Sequence, residues 1–285
     1  SLFHPYIEVE RAKDRGMVYT FFYHYKDFFY KKPDVYDEKM VMDKLDSYVE
    51  SMPMDDEKSD IFLILGESFA DLEEKGAKVE PSVYRSLRKL QDESISGLIQ
   101  NYTYGGGTIE AERYIYQGAE SFPPYIKNIN TFVWMLKNEG YATKSMHPFT
   151  GKFYNRLNTN QFLGFDEFLY SENFFDDYFV NKDADYFPDR ILFPLVLEDY
   201  RNRDKSKRYF NSVVTMQNHT PYSPEDKGIG DFVDRESFTG TDEEYNIANN
   251  YIYGVKDTAD QLIKFTEELE KEKSPVVVIF YGDHL

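Results

Sequence analysis

Ile61-Phe62-Leu63-Ile64-Leu65-Gly66-Glu67-Ser68 is an unbroken apolar run that ends in a glycine, an acid and a hydroxyl. A strand with one wet face alternates apolar and polar residues. A strand covered on both faces reads as a continuous apolar run, the habit of parallel sheets packed between helices. Three further segments read as strands, at 141–146, 209–215 and 276–280. Helical patterns fill the intervals at 81–90, 108–117, 130–138, 189–200 and 247–270. Strand and helix in alternation, with short connections, predict an α/β fold with a mainly parallel sheet flanked by helices.

Upstream of this block the character changes. Residues 1–34 are dense in aromatics, including Tyr19, Phe21, Phe22, Tyr23, Tyr25, Phe28, Phe29 and Tyr30, and end at Lys31-Lys32-Pro33. A polar helical pattern follows around 37–52, with Met40, Val41, Leu45 and Val49 near the 3.6-residue period. Pro53-Met54-Asp55-Asp56-Glu57-Lys58 reads as a linker. The sequence therefore divides into an aromatic-rich helical linker or stalk, 1–58, and a domain over 59–285. Core packing is the expectation for most of the upstream aromatics, with docking on the domain or on lipid headgroups as the other use.

The chain of 285 residues carries 33 basic and 51 acidic side chains, a formal charge of −18. Nucleic acid is excluded as the main partner, because a phosphate backbone is neutralised by clustered Lys and Arg. The densest basic run, 201–208, is interrupted by polar and acidic residues and reads as a solvated connection. With no cysteine, disulfides, thiolate nucleophiles and cysteine-based zinc sites are all excluded. No apolar run approaches the ~18 residues of a membrane helix. The start lacks the basic-then-apolar layout of a signal peptide.

Ligands of open parallel sheets gather at the carboxyl ends of the strands. Here the first strand runs into Gly66-Glu67-Ser68 and the last into Gly282-Asp283-His284, while 141–146 ends in His147 and 209–215 leads to Gln217-Asn218-His219. One histidine at such a place is ordinarily a hydrogen-bonded structural residue. Three, together with Glu67 and Asp283, point to a metal or phosphate site. Gly105-Gly106-Gly107 precedes Thr108 and a helical pattern, a layout that lets backbone approach a ligand and leaves amide N–H groups free at a helix start. Thr108 reads either as a helix N-cap or as a nucleophile activated by a metal and the helix end.

This set of motifs, with Phe153-Tyr154-Asn155-Arg156 and Phe165-Asp166-Glu167-Phe168, resembles the lipoteichoic acid synthase family over about residues 58–285. Its members are membrane-anchored phosphoglycerol transferases of the alkaline phosphatase/sulfatase superfamily. The resemblance implies that Glu67, Thr108, Asp283 and His284 hold one divalent ion. Two carboxylates, an alkoxide and one imidazole favour Mn²⁺, with Mg²⁺ possible. It implies that Thr108 is the nucleophile, and that His147, Lys152, Tyr154, Arg156 and His219 bind the phosphoglycerol group. His219 is the preferred proton donor to the leaving oxygen.

The implied reaction moves phosphoglycerol from phosphatidylglycerol, or a similar anionic lipid headgroup, to a cell-envelope glycolipid or polymer through a phosphothreonine-type intermediate. The implied setting is the extracellular face of the cell membrane, with membrane helices upstream in the full-length protein and further strands beyond Leu285. Tyr154 stands where the best-known synthases have tryptophan, and Gly107 where they have lysine, which leaves acceptor choice and polymerisation open. Without the resemblance, Arg156 reads as a surface or salt-bridged arginine. The alternatives are a phosphodiesterase, phosphoethanolamine transferase or sulfatase-like hydrolase on the same scaffold, or a non-catalytic binder of wall polymer or lipid headgroups. Against a true sulfatase, the chain has no cysteine and no Ser-x-Pro-x-Arg.

Overall fold

The computed structural model describes residues 8–25, 34–51, 58–99, 105–118, 125, 127–179 and 186–284. Five strands form one parallel sheet: β1 Asp60–Gly66, β2 Ala142–His147, β3 Glu167–Tyr170, β4 Tyr209–Val214 and β5 Val276–Gly282. Their spatial order is β3-β2-β4-β1-β5, which puts β1 between β4 and β5. β3 was read in the sequence only as part of a motif. At four residues it is too short to show a period, and it exists because it pairs along β2 from Lys144↔Glu167 to His147↔Tyr170.

The unbroken apolar run of β1 is explained by its two faces. Phe62 and Ile64 pack with Leu192, Val196, Leu262 and Phe265, from helices α8 (Asp189–Arg201) and α9 (Asp242–Leu269). Leu63 and Leu65 pack on the opposite face with Tyr116, Val133 and Leu163, from α5 (Thr108–Gln117), α6 (Phe132–Asn138) and α7 (Arg156–Leu163). The result is a three-layer helix–sheet–helix block. A third cluster joins Val83 and Tyr84, just before α4 (Arg85–Asp92), to Ile252, Val255 and Ala259 of α9.

α9 starts five residues earlier than its apolar period predicts, because Thr241 and Glu244 form a reciprocal capping box. Thr241 Oγ1 accepts from Glu244 N at 3.2 Å, and Glu244 Oε2 accepts from Thr241 N at 2.7 Å. β5 is an edge strand with Val277 and Ile279 exposed on one side.

The upstream helices are α1 (Glu8–Arg15), α2 (Met17–Tyr25) and α3 (Glu38–Ser51). The expectation of core packing fails for Tyr19, Phe21, Phe22, Tyr23 and Tyr25, all of which are exposed. A nine-residue helix this rich in aromatics turns rings to every side, and on α2 these contact one another instead of a core: Tyr19 stacks with Tyr23, and Phe21 meets Phe22 edge-on. Phe28, Phe29 and Tyr30 lie outside the described residues. Among the described residues no helix is long and apolar enough to cross a membrane.

Candidate active site

Parallel pairing aligns the ends of β1 and β5 so that Gly66 faces Gly282. Both must be glycine. A Cβ on Gly282 would fall 2.1 Å from the Phe69 carbonyl oxygen, and one on Gly66 would fall 2.7 Å from the Phe280 ring. The residue after each glycine is an acid, so the register itself delivers Glu67 and Asp283 side by side. Glu67, Asp283 and His284 each offer one ligand atom, all within 4.8 Å of one another.

Thr108 reaches this cluster from α5. Gly105, Gly106 and Gly107 have φ of 61°, 133° and 94°, a left-handed path that glycine follows without strain. The turn sets Thr108 as the first residue of the helix, with Oγ1 donating to Glu67 Oε2 at 3.0 Å and lying 3.4 Å from His284 Nε2. Thr108 is therefore not a cap; its hydroxyl faces the carboxylates.

The donors around these acids come from the backbone and from small hydroxyls. Asp283 Oδ1 accepts from Ser68 N at 2.7 Å and His284 N at 2.8 Å; its Oδ2, 3.2 Å from His284 Nε2, receives no hydrogen bond. Ser68 Oγ donates to Glu67 Oε1 at 3.1 Å, and Glu67 N donates to Thr215 Oγ1 at 3.0 Å. Burial, and then the charge of Asp283, push the Glu67 carboxyl up to about 8; burial raises Asp283 as well. Two carboxylates buried together without a cation are electrostatically unbalanced. A divalent ion fits this deficit.

Beside the acids lies a basic group. Arg156 is 1% exposed and pairs with Glu112 at 2.9 Å, while its Nε and Nη1 have no partner. Two buried N–H-bearing nitrogens left open are what an anionic ligand needs. The charge of Arg156 acts on both Glu67 and His147. His147 sits with Nδ1 3.1 Å from the Val214 carbonyl oxygen, to which it donates, leaving Nε2 as the free nitrogen. Burial, then Arg156, hold His147 well below its ordinary value. His219 Nδ1 likewise meets a carbonyl, that of Thr220 at 2.5 Å, and burial lowers it too. The Tyr154 ring lies 5.1 Å from the Arg156 guanidinium.

Among the described residues, the three non-glycines with positive φ are Ser68 (46°), Tyr154 (52°) and Asn155 (58°), and all three adjoin these groups. Backbone strain of this kind costs ~1–3 kcal/mol per residue and persists where tertiary contacts enforce it. One such contact is Arg113, whose Nη2 donates to the Tyr154 carbonyl at 3.3 Å.

The structure thus brings Glu67, Thr108, Asp283 and His284 into one cluster, with Arg156, His147 and His219 coupled to it electrostatically. Lys152 is exposed, and its charge acts on Glu172. Sequence reading missed Glu112, Arg113 and Thr215. Glu112 had a signal, since it stands four residues after Thr108 on α5 and therefore on the same helix face.

A family model described as Sulfatase matches residues 59–285. A putative cyclic β-1,2-glucan modification protein of Rhizobium meliloti is 25% identical over 236 residues, 80% of this chain and 36% of that protein. The chain thus spans about a third of this curated relative. Among solved structures, Streptococcus pyogenes phosphoglycerol transferase GacH, in complex with sn-glycerol-1-phosphate, superposes with a TM-score of 0.70 at 23% identity, over 90% of this chain and 70% of that one. Lipoteichoic acid synthase LtaP from Listeria monocytogenes gives 0.62 at 20% identity, over 85% and 62%. At these identities the two structures show a shared fold.

Proposed function

The chain belongs to the sulfatase family, and we propose that it transfers a phosphoglycerol group from a phosphatidylglycerol-type donor to a cell-envelope glycan, with Thr108 as the covalent nucleophile. One observation carries this reading. Thr108 Oγ1 lies at a helix start, 3.0 Å from Glu67 and 3.4 Å from His284, and buried Arg156, whose charge acts on Glu67, keeps two nitrogens open. A hydroxyl among acids, next to an anion-binding guanidinium, is an arrangement for attack on phosphorus. The family excludes neither sulfate nor phosphate esters. The fold shared with GacH and the glucan relative support a phosphoglycerol donor and a glycan acceptor. The reading places the domain on the outer face of the cell membrane.

Glu67, Asp283, His284 and Thr108 would hold the divalent ion, Mn²⁺ by preference. When bound, it neutralises the two acids and makes the threonine hydroxyl more acidic. Arg156 orients the phosphodiester through Nε and Nη1, and Glu112 holds the guanidinium in that orientation. His147 presents Nε2, and Tyr154 its ring, to the glycerol. Thr108 Oγ1, deprotonated, forms a bond to phosphorus as the bond from phosphorus to the diacylglycerol oxygen breaks, and His219 in its protonated form protonates that oxygen. The helix N-terminus stabilises the phosphoglyceryl-threonine that results.

The test is mass spectrometry of the Mn²⁺-loaded protein quenched with phosphatidylglycerol. A phosphoglycerol adduct on the peptide containing Gly105–Arg113 is the expected result. Thr108→Ala should abolish the adduct and reduce turnover by orders of magnitude with the fold intact, and Thr108→Ser should retain part of the activity. An alanine variant at the wild-type rate would sink the reading and leave water as the attacking group.

A further inference from the structure

A ping-pong transfer through Thr108 uses one side of the phosphorus twice. The diacylglycerol oxygen departs opposite Thr108, and the acceptor hydroxyl must later approach along that same line. On the reading above, that side is marked by His219. His219 also forms a wall of a cavity of about 280 Å³, which is a separate chamber outside the acid cluster. Tyr222 is another of its walls. Its hydroxyl donates to the Asn218 carbonyl at 2.8 Å, and burial, then the charges of Glu67 and Asp283, oppose its ionisation.

We propose that this cavity seats the acceptor, and that the part of the acceptor it holds is a sugar ring. The lining carries the argument. Rings of Tyr186, Tyr222 and Tyr253 are joined by Arg190, Lys227 and Asn250, with Ile229 the one aliphatic side chain apart from prolines. An acyl chain needs the reverse composition. A sugar has a C–H face that packs on aromatic rings, and a rim of hydroxyls for phenol, amide and guanidinium groups. The volume is at the small end of ligand pockets, ~300 Å³, which admits one ring and not a diacylglycerol.

The walls are held before any ligand arrives. Gln217 Nε2 donates to the Gly254 carbonyl at 3.1 Å, and Asn218 Nδ2 donates to Thr258 Oγ1 at 3.0 Å. Thr258 Oγ1 in turn donates to the fully buried Asp189 at 2.6 Å. Asn250 Nδ2 donates to the Ser223 and Glu225 carbonyls, which fixes the opposite loop. Gly254 completes the fit, since a Cβ there would meet Asn218 Oδ1 at 2.3 Å. These bonds tie the segment bearing His219 to α9, so the base and the sugar seat move as one body.

The step balances. A sugar hydroxyl oxygen forms a bond to phosphorus, its proton passes to His219 Nε2, and the bond from phosphorus to Thr108 Oγ1 breaks, returning the threonine as the alkoxide in which it attacked and His219 in the protonated form that opens the next cycle. Thr220 keeps His219 Nδ1 engaged through its carbonyl, so Nε2 is the nitrogen left to accept.

Binding and turnover test this separately. Saturation-transfer NMR with methyl β-D-glucopyranoside, methyl β-D-galactopyranoside and methyl α-D-mannopyranoside reads occupancy with no donor present. At least one probe should give a signal with wild type, lose it at least tenfold with Tyr253→Ala, and keep it with Tyr253→Phe. No signal from any probe, or a signal unaffected by Tyr253→Ala, overturns the proposal. In the turnover arm, the Mn²⁺-loaded protein receives phosphatidylglycerol and the same glycosides. Tyr253→Ala should lower glycerol phosphate transfer to sugar at least tenfold while its release to water stays within twofold of wild type. Equal losses in both, or transfer only to a diacylglycerol-bearing acceptor and insensitive to Tyr253, would overturn it. Sugar binding that depends on Tyr253, in a protein that cleaves no donor, supports the seat and counts against the Thr108 reading alone.

Discussion

Two buried carboxylate clusters stand at opposite ends of β1 and differ in one respect. At the amino end, Asp60 is 1% exposed and both of its oxygens are answered. Oδ1 accepts from Tyr209 N at 2.9 Å, and Oδ2 accepts from Tyr200 Oη and Arg203 Nη2, each at 2.8 Å. Arg203 lies 3.6 Å over the Tyr200 ring with its Nε alone lacking a hydrogen bond, and the charges cancel in place. At the carboxyl end, Glu67 and Asp283 face each other, Asp283 Oδ2 receives no hydrogen bond, and nearby Arg156 keeps two nitrogens open. A buried charge completed by its own chain is a structural device. A buried charge left incomplete is a place for something the chain does not supply.

The comparison breaks most sharply at Glu67. Glu67→Gln removes a metal ligand and one of two repelling charges at constant size. Turnover should drop on the order of 10⁴-fold, equivalent to ~5 kcal/mol, while metal-free stability holds or rises. A stability loss in urea titration without a loss of turnover would reverse the roles of the two ends.

Asp60→Asn is the mirror experiment. It strands the Arg203 charge against a buried amide and should cost ~3–5 kcal/mol in urea denaturation, with activity per folded molecule unchanged. A catalytic defect in the folded fraction would mean that the amino end is not purely structural.

Arg156 sharpens the comparison, because it belongs to both kinds. Its pair with Glu112 is complete and its remaining nitrogens are not. Arg156→Ala should weaken glycerol phosphate binding by ~2–4 kcal/mol in titration calorimetry and also destabilise the fold, since Glu112 is left buried and unpaired. Adding Glu112→Gln should restore stability but not binding. Recovery of both would show that Arg156 only neutralises Glu112.

The smallest effect is on pH dependence. The Glu67 carboxyl rises from 4.5 to about 8 on folding, so between those values the folded chain holds a proton that the unfolded chain has released. Stability therefore falls as pH rises through that window, and Asp283, also raised, adds in the same sense. Chelated protein should lose melting temperature between about pH 5 and 8, and Mn²⁺ should raise it more at the upper value. Part of the slope should survive the metal, because Asp189, pushed up to about 7 by burial, lies outside the acid cluster. A flat profile for the chelated protein would mean that the two acids are balanced without an ion.

Much of the site was legible because the chemistry sits where strands end. Glu67, Asp283 and His284 follow apolar runs that close in glycine, His147 ends a strand, and Thr108 follows a glycine run that few other purposes require. Glu112 and Arg113 were not legible: each is an ordinary charged residue inside a helix, and their partners Arg156 and Tyr154 lie 44 and 41 residues away. α7 escaped because Arg156–Leu163 has weak periodicity and is held by what it packs against.

The sequence by itself determined the sheet-and-helix alternation and the residue types at the strand ends, because burial on two faces and the backbone freedom of glycine leave local signatures. Only the tertiary structure decided that Gly66 meets Gly282, that Arg156 is buried with two of its three guanidinium nitrogens unpaired, and that a tyrosine-lined cavity opens beside His219. Those facts depend on register and on partners distant in the chain. Electrostatic balance is a property of the neighbours that folding brings together.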